Sequence, residues 1–358
     1  MSFHAQPATE EDIAAFDAYR YDSPFDFYNG DDDPVQNPER YFAVRDDGGT
    51  LVGFYYFEWK GDALETTLVA HGFPAGEGVA VALESERRVR AAGAVPATVG
   101  VLDREIVVGL TEAELVRFDE RARKVGPRDL AACVTQRAVG ATTVGGTLAV
   151  CRAARIQFVG TGGIGGVHRG WQERPDVSAD VGELARARVL VVAAGAKSLL
   201  DVPATTELLE TLGVPVLGFR TDELPLFYSA RGGPPTSARV ESATEAAEVA
   251  RAHWELGGAG VVVGRPPDES LDDVEPLIEQ ALHAARAAGA HGQRVTPFVL
   301  SYLHRESGGR TLAANKELVA ANAQLAAEIA VAFRELEVPP RKRRERRRPD
   351  ETEEPNGP

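Results

Sequence analysis

Two largely apolar runs, residues 156–159 and 189–194, constrain this chain more than any other feature, because each stops at glycine and small residues. Aliphatic runs without polar alternation mark strands buried on both faces, and such strands belong to parallel sheets covered by helices. In open α/β sheets of that kind the ligand crevice lies just beyond the carboxyl ends of the strands. Beyond the first run comes Gly160-Thr161-Gly162-Gly163-Ile164-Gly165, then Gly166-Val167-His168-Arg169. Beyond the second come Gly195, Ala196 and Lys197, with Asp176, Ser178 and Asp180 in between. A glycine turn, a carboxylate cluster and a lysine at strand ends point to a phosphorylated, electrophilic small molecule.

The remaining chain from Ala63 alternates helical and strand-like patterns. Helices are expected over 79–92, 129–139, 143–154, 181–187, 205–212, 242–256, 274–288 and 315–335, with Thr111 capping a further one and strands at 97–102, 214–219 and 260–264. This gives an α/β fold, a largely buried β-sheet covered by helices. Residues 1–62 differ: aromatics crowd there, and 41–45, a turn at 46–49 and 51–59 give a β-hairpin signal. Together with the stretch P-F-D-F-Y-N, this extension resembles the opening of GNAT-type acetyltransferases, although it is too short for a whole one and no glycine-rich acetyl-CoA loop follows. The charged tail, 337–358, carries R-K-R-R-E-R-R-R and then an acidic stretch, a composition that cannot pack and is expected to be disordered.

With 39 Lys+Arg against 54 Asp+Glu, the net charge is −15, which argues against nucleic acid or an anionic membrane as partner and leaves phosphate to a local site. The basic tail reads as solubilising on such an acidic body. Cys133 and Cys151 lack a C-x-x-C spacing and sit among alanine and valine, as buried thiols of a reducing compartment do. The first residues carry no signal-peptide pattern and no stretch reaches the length of a membrane span, so a cytoplasmic protein is expected.

The run from Gly160 to Gly165 satisfies G-x-G-x-x-G, yet no apolar helical stripe follows and no second strand ends in an acidic residue at the ribose position. A loop whose amides face an anion, with Thr161, Gly162, Gly163, His168 or Arg169 beside it, is the preferred reading over a dinucleotide site. Lys197 follows a buried strand, where lysine is seldom needed for packing. If S-L-L-D after it opens a helix, the helix end and burial both favour a neutral amine, a Schiff-base nucleophile. Glu65 lies in the apolar A-L-E-T-T-L-V-A, a setting that raises a carboxyl pKa as a general acid requires. Asp176 and Asp180 are spaced to cap the helix at 181–187, and a lone Asp holds a hard cation only with waters completing the shell. Asn315 and Asn322 lie two turns apart and share a helix face expected to point into the cleft.

Taken in order, A-L-E-T-T-L-V-A-H-G-F-P (63–74), R-K-V-G-P-R-D-L (123–130), G-A-T-T-V (140–144), T-G-G-I-G-G-V-H-R-G (161–170), D-V-S-A-D (176–180), A-G-A-K-S-L-L-D (194–201) and L-A-A-N-K-E-L-V-A-A-N-A (312–323) resemble the pseudouridine-5′-phosphate glycosidase family, which is related to indigoidine synthase A. The resemblance covers about residues 63–336. It implies Glu65 as proton donor, Lys197 as nucleophile and Asp176 as the contact to a divalent metal, Mn²⁺. It also implies Lys124, Val144, Ser178, Ala179, Asp180 and Asn315 around the substrate, and a homotrimer. The activity implied is reversible cleavage of pseudouridine 5′-phosphate to uracil and ribose 5-phosphate. The family enters A-L-E-T from an apolar P-V-V strand, whereas W-K-G-D precedes Ala63 here, and the family's A-N-P-I-P stands as G-R-P-P-D at 264–268. A rival reading is therefore a chimera that binds a sugar phosphate without turnover.

Overall fold

The computed structural model describes residues 4–7, 41–45, 51–56, 63–66, 76–119, 121–173, 175–197, 199–271, 273–290 and 295–337. Strands β1 (His4–Pro7), β2 (Tyr41–Arg45) and β3 (Leu51–Tyr56) form an antiparallel sheet. The expected hairpin is the β2–β3 pair, Tyr41 opposite Tyr56. The other features read into residues 1–62, and the tail beyond Glu337, lie outside the described residues.

From Ala63 the chain runs β4 (Ala63–Thr66), α1 (Glu77–Ala91), β5 (Val95–Pro96), β6 (Val99–Leu102), β7 (Glu105–Val108), α2 (Glu112–Leu115), β8 (Arg123–Val125), α3 (Leu130–Thr135), β9 (Gly140–Thr142), α4 (Val144–Ala154) and β10 (Phe158–Gly160). There follow α5 (Ala179–Leu184), β11 (Leu190–Ala193), α6 (Val202–Thr211), β12 (Val216–Phe219), β13 (Ala238–Val240), α7 (Ala243–Glu255), β14 (Val261–Gly264), α8 (Glu275–Ala287), α9 (Val295–Glu306) and α10 (Arg310–Glu337). Seven strands, all paired in parallel, form the main sheet in the order β13-β12-β14-β11-β10-β4-β5. A smaller mixed sheet, β7-β6-β9-β8, stands beside it.

Strand alternation divides the main core in two. Phe158, Leu190, Val192, Val261 and Val263 face a cluster with Ala246, Ala250 and Trp254 of α7 and Ala323 to Phe333 of α10. Val159, Val191 and Val262 face the opposite cluster, with Leu148 of α4, Leu184 of α5, Leu209 of α6 and Ile278 of α8. Helices thus cover both faces, as uninterrupted apolar strands require. The rings of Phe158, Trp254 and Phe333 meet edge-on with centroids 5.2 to 6.0 Å apart. Removing one such ring costs about 3–5 kcal/mol.

Helix α10, about 42 Å long at 1.5 Å per residue, lies against β10 and β11 and packs on α1 and α7. Its alanines allow the close approach, and so does Gly160, where an added Cβ would sit 2.5 Å from the Ala323 Cα.

Local expectations held where a cap was legible and failed where the chain bends for tertiary reasons. Thr111 closes a capping box with Glu114, but its helix lasts a single turn. The helix expected over 129–139 is only α3, because the chain turns through Arg137, at φ 55°, into β9. Ser178, rather than Asp176 or Asp180, caps α5, its hydroxyl accepting the Asp180 N–H. Both cysteines are free and buried, as expected. Among the described residues no helix is long and apolar enough to cross a membrane.

Candidate active site

Three neighbouring strands set the site. β4, β10 and β11 are adjacent and parallel, with Glu65 opposite Val159, Thr66 opposite Gly160, and Gly160 opposite Val192. Their carboxyl ends therefore share one edge of the sheet, where an open α/β fold builds its crevice. Glu65 is placed there by backbone register alone; its side chain lies outside the description. Lys197 is half-buried. It does not open a helix: Ala196 bridges Ile164, the Lys197 N–H donates to the Ile164 carbonyl at 3.1 Å, Leu200 bridges His168, and α6 begins only after Asp201 caps it. No helix end therefore acts on the Lys197 amine, contrary to the expectation from S-L-L-D.

The glycine run turns inward. Residues 161–167 are all buried. The Thr161 N–H donates to Val192, that of Ile164 to Gly195, and that of Gly165 to the Asp180 carboxylate. The Asn322 amide donates to the Thr161 carbonyl at 2.7 Å. An added Cβ would lie 2.7 Å from the Phe227 ring at Gly163 and 2.3 Å from the Thr205 hydroxyl at Gly166. These glycines admit close neighbours, and the amides of Thr161, Ile164, Gly165 and Val167 are already taken within the protein. No helix follows, so the dinucleotide reading fails. Arg169 is engaged as well, donating to the Leu200 carbonyl at 3.2 Å and to Glu275 at 2.8 Å. It lines a cavity of about 690 Å³ whose wall includes neither Lys124 nor Lys197.

Beyond the glycines the chain doubles back: Val167 bridges Val177, and the His168 N–H donates to the Asp176 carbonyl. Asp176, Ser178 and His168 are half-buried, Ala179 is exposed, and Asp180 is 2% exposed. Lys124 projects from β8 of the smaller sheet. Burial, and then the charge of Lys197, lower its pKa to about 8, while Asp180 and Asp176 pull the other way. Burial likewise lowers the pKa of His168, with Asp176 opposing and both lysines assisting. Lys124, Lys197, His168 and Asp176 thus share one electrostatic field. Residues from both sheets meet in that field.

Residues 63–332 match the family described as indigoidine synthase A like protein. The chain belongs to that indigoidine synthase A-like family. A pseudouridine-5′-phosphate glycosidase of Herpetosiphon aurantiacus is 48% identical over 278 residues, 76% of this chain and 92% of that protein. One from a Nocardioides species is 48% identical over 275 residues, 75% of this chain and 90% of that protein. Among solved structures, the prealnumycin C-glycosynthase AlnA in complex with ribulose 5-phosphate is 37% identical with a TM-score of 0.69, covering 77% of this chain and 92% of its own. An indigoidine synthase A-like protein from Thermotoga maritima is 38% identical, also at TM-score 0.69, covering 76% and 93%. The match begins at β4 and ends within α10, leaving residues 1–62 outside it.

Within this indigoidine synthase A-like fold the expected substrate-lining residues fall into two groups. Lys124 and Ser178 keep side-chain surface, and Ala179 is exposed, whereas Val144 is 1% exposed in the core and offers a ligand only its backbone. Asn315, 5% exposed, brings its Oδ1 within 3.3 Å of where a Gly162 Cβ would stand, so it faces the glycine loop. Asn322 points to the loop's carbonyls rather than into an open cleft. Thr205, which the sequence did not flag, accepts the Val167 N–H at 3.0 Å and donates to Asp201, tying the loop to α6. No three His, Cys, Asp or Glu side chains among the described residues gather to cage a metal. The Asp176 carboxylate has no hydrogen bond or ion pair among them, which suits a hydrated divalent cation held through one protein oxygen.

Proposed function

We propose that this protein reversibly cleaves the C-glycosidic bond of pseudouridine 5′-phosphate with water, giving uracil and ribose 5-phosphate. The observation that carries the reading is the β4-β10-β11 adjacency, which sets the Glu65 and Lys197 segments at one sheet edge with Lys124 in the same field. Relatives 48% identical bear the glycosidase name, and a structural neighbour was solved with a pentose 5-phosphate.

A carbon–carbon glycosidic bond offers no oxygen to protonate, so the usual paired-carboxylate route does not apply. In the proposed route the C1′–O4′ bond breaks to open the ribose ring, the Lys197 amine bonds to C1′, and the proton that the amine gives up ends on O4′. Glu65 gives its proton to C5 of the base as the C1′–C5 bond breaks, and the electron pair of that bond stays with the base. The iminium formed from Lys197 and C1′ is then hydrolysed by water to ribose 5-phosphate. Lys124, Ser178, Ala179, Asn315 and the Val144 backbone line the substrate. A divalent metal, expected to be Mn²⁺, would be held by Asp176 and supplies positive charge beside the substrate when bound. The working form is proposed to be a cytoplasmic homotrimer, for which light scattering at micromolar concentration is the check.

Incubation with ribose 5-phosphate, uracil and Mn²⁺ is expected to yield the C-nucleotide, and borohydride is expected to trap ribose 5-phosphate on Lys197. Absence of both results overturns the reading. The specific rival is a chimera that binds sugar phosphate silently, motivated by residues 1–62 lying outside the family match; it predicts calorimetric binding of ribose 5-phosphate without product. Against it, β4 sits within the main sheet between β10 and β5 despite its unusual entry.

A further inference from the structure

We propose that Asp180 is a positioning residue for this reaction, its carboxylate locking the two sheets of the cleft together instead of touching the substrate. The inference rests on the glycosidase reading above. Asp180 lies in the first turn of α5, 2% exposed. One carboxylate oxygen accepts the Gly145 N–H and the other the Gly165 N–H, both at 2.7 Å. Charge-assisted bonds of that length are among the stronger ones a side chain makes to backbone. With both oxygens engaged and almost no exposed surface, the carboxylate has little left to offer a ligand.

The two donors belong to opposite walls. Gly145 is in the first turn of α4, directly after β9; the Thr143 N–H donates to Val125, and β9 pairs with β8, the strand of Lys124. Gly165 follows Ile164, whose carbonyl accepts the Lys197 N–H. A bonded path therefore runs from the Lys124 strand through Asp180 to the Lys197 segment. Both donors are glycines for a steric reason: a Cβ would lie 3.0 Å from one carboxylate oxygen at Gly145 and 2.6 Å from the other at Gly165. Any side chain there would push the carboxylate off its amides. The clamp fixes the spacing between the cleft wall bearing Lys124 and the wall bearing the nucleophile, and a misplacement of about 1 Å is enough to cost ~10²-fold in rate.

The test is Asp180→Asn, which keeps the shape but sets an NH₂ against one of the two amide donors. Hydrogen exchange of peptides spanning 143–148 and 161–167 is expected to rise at one or both ends of the clamp. Turnover of pseudouridine 5′-phosphate is expected to fall about 10–10²-fold in kcat, with KM changed by less than roughly threefold. A raised KM with unchanged exchange would mean that Asp180 binds substrate, and raised exchange with unchanged kinetics would mean that the clamp has no bearing on the reaction; either overturns the proposal. If the variant does not fold, the wild type decides. Saturation with ribose 5-phosphate should leave both peptides protected, whereas a carboxylate recruited to the ligand must release an amide and deprotect one of them. A wild type without turnover sinks the glycosidase reading and with it the positioning role, a failure visible in kinetics and separate from the exchange results.

Discussion

The loops leaving β10 and β11 start side by side on parallel strands and are built by opposite rules. After β10 the glycines bring backbone against Phe227, Thr205, Asp180 and α10, and every residue from 161 to 167 is buried. After β11 one glycine, at φ +84°, turns the chain past Pro225 and brings out the half-buried Lys197. The difference teaches that glycine content by itself does not identify the reactive loop. In this fold the glycine-rich segment packs as scaffold beside the loop that carries Lys197, the residue proposed as nucleophile.

The largest effects should separate those two jobs. Lys197→Ala is expected to abolish turnover and borohydride trapping while costing no more than about 1 kcal/mol of stability, since a half-buried lysine contributes little packing. Retained trapping on the variant would move the nucleophile elsewhere. Gly195→Ala should show the reverse balance: its Cβ would stand 1.8 Å from the Pro225 carbonyl oxygen, and overpacking plus a left-handed backbone cost about 3 kcal/mol or more. A urea midpoint unchanged from wild type would show that the turn is not held as described.

Next in size is the anchor beneath the scaffold loop. Asn322→Ala removes the donor to Thr161 and leaves that buried carbonyl unpaired, at a cost of about 1–3 kcal/mol. The partner Oδ1 of Asn322 has no hydrogen bond among the described residues, so losing it adds nothing. Lys197 trapping should survive in the folded variant, because Asn322 bonds the loop at Thr161 and makes no hydrogen bond to the proposed nucleophile. Loss of trapping with full stability would place Asn322 in the chemistry instead.

How far the sequence revealed this molecule depends on how local each cause is. Buried strands announce themselves through largely apolar runs, so the sheet edge beyond which Lys197 stands was legible. How the glycine loop is packed was not, because the Gly165 and Val167 amides and the Thr161 carbonyl are claimed by Asp180, Thr205 and Asn322, residues distant along the chain. The same cause misled the reading of S-L-L-D as a helix start, where a bridge between His168 and Leu200 keeps the chain extended. Asp180 had the spacing of a cap, and spacing does not reveal that its carboxylate reaches Gly145 and Gly165.

Lys124 gives the comparison a pH dependence. With its pKa lowered to about 8 by burial and Lys197, the free amine loses its charge above that pH. If Lys124 meets the phosphate of the substrate it is proposed to line, the bound dianion favours the charged form and raises the pKa, so binding takes up a proton above about pH 8 and affinity falls as pH rises, by at most about tenfold per unit. Calorimetry of ribose 5-phosphate in two buffers of different ionisation enthalpy at pH 8.5 reads that proton directly. Affinity independent of pH from 7 to 9.5 would remove Lys124 from phosphate recognition.

The smallest effect concerns Arg169, which resembles an anion receptor in sequence and acts as a tether in the structure. Its partner Glu275 is 2.8 Å away, with side chains 32% and 52% exposed. Such a solvent-screened pair is worth about 0–1 kcal/mol. Its bond to the Leu200 carbonyl holds the His168 segment against the chain leaving Lys197. Arg169→Lys keeps the charge but cannot make both contacts from one ammonium as the guanidinium fork does. A tether predicts a loss of a few-fold at most in kcat, with ribose 5-phosphate affinity and its salt dependence unchanged. An anion receptor predicts affinity weakened by about tenfold or more, because a bidentate phosphate contact is not replaced by a point charge. Measuring kcat and affinity across salt concentrations therefore separates the two, and a salt-dependent affinity loss would return Arg169 to the substrate site and make the loop after β10 reactive after all.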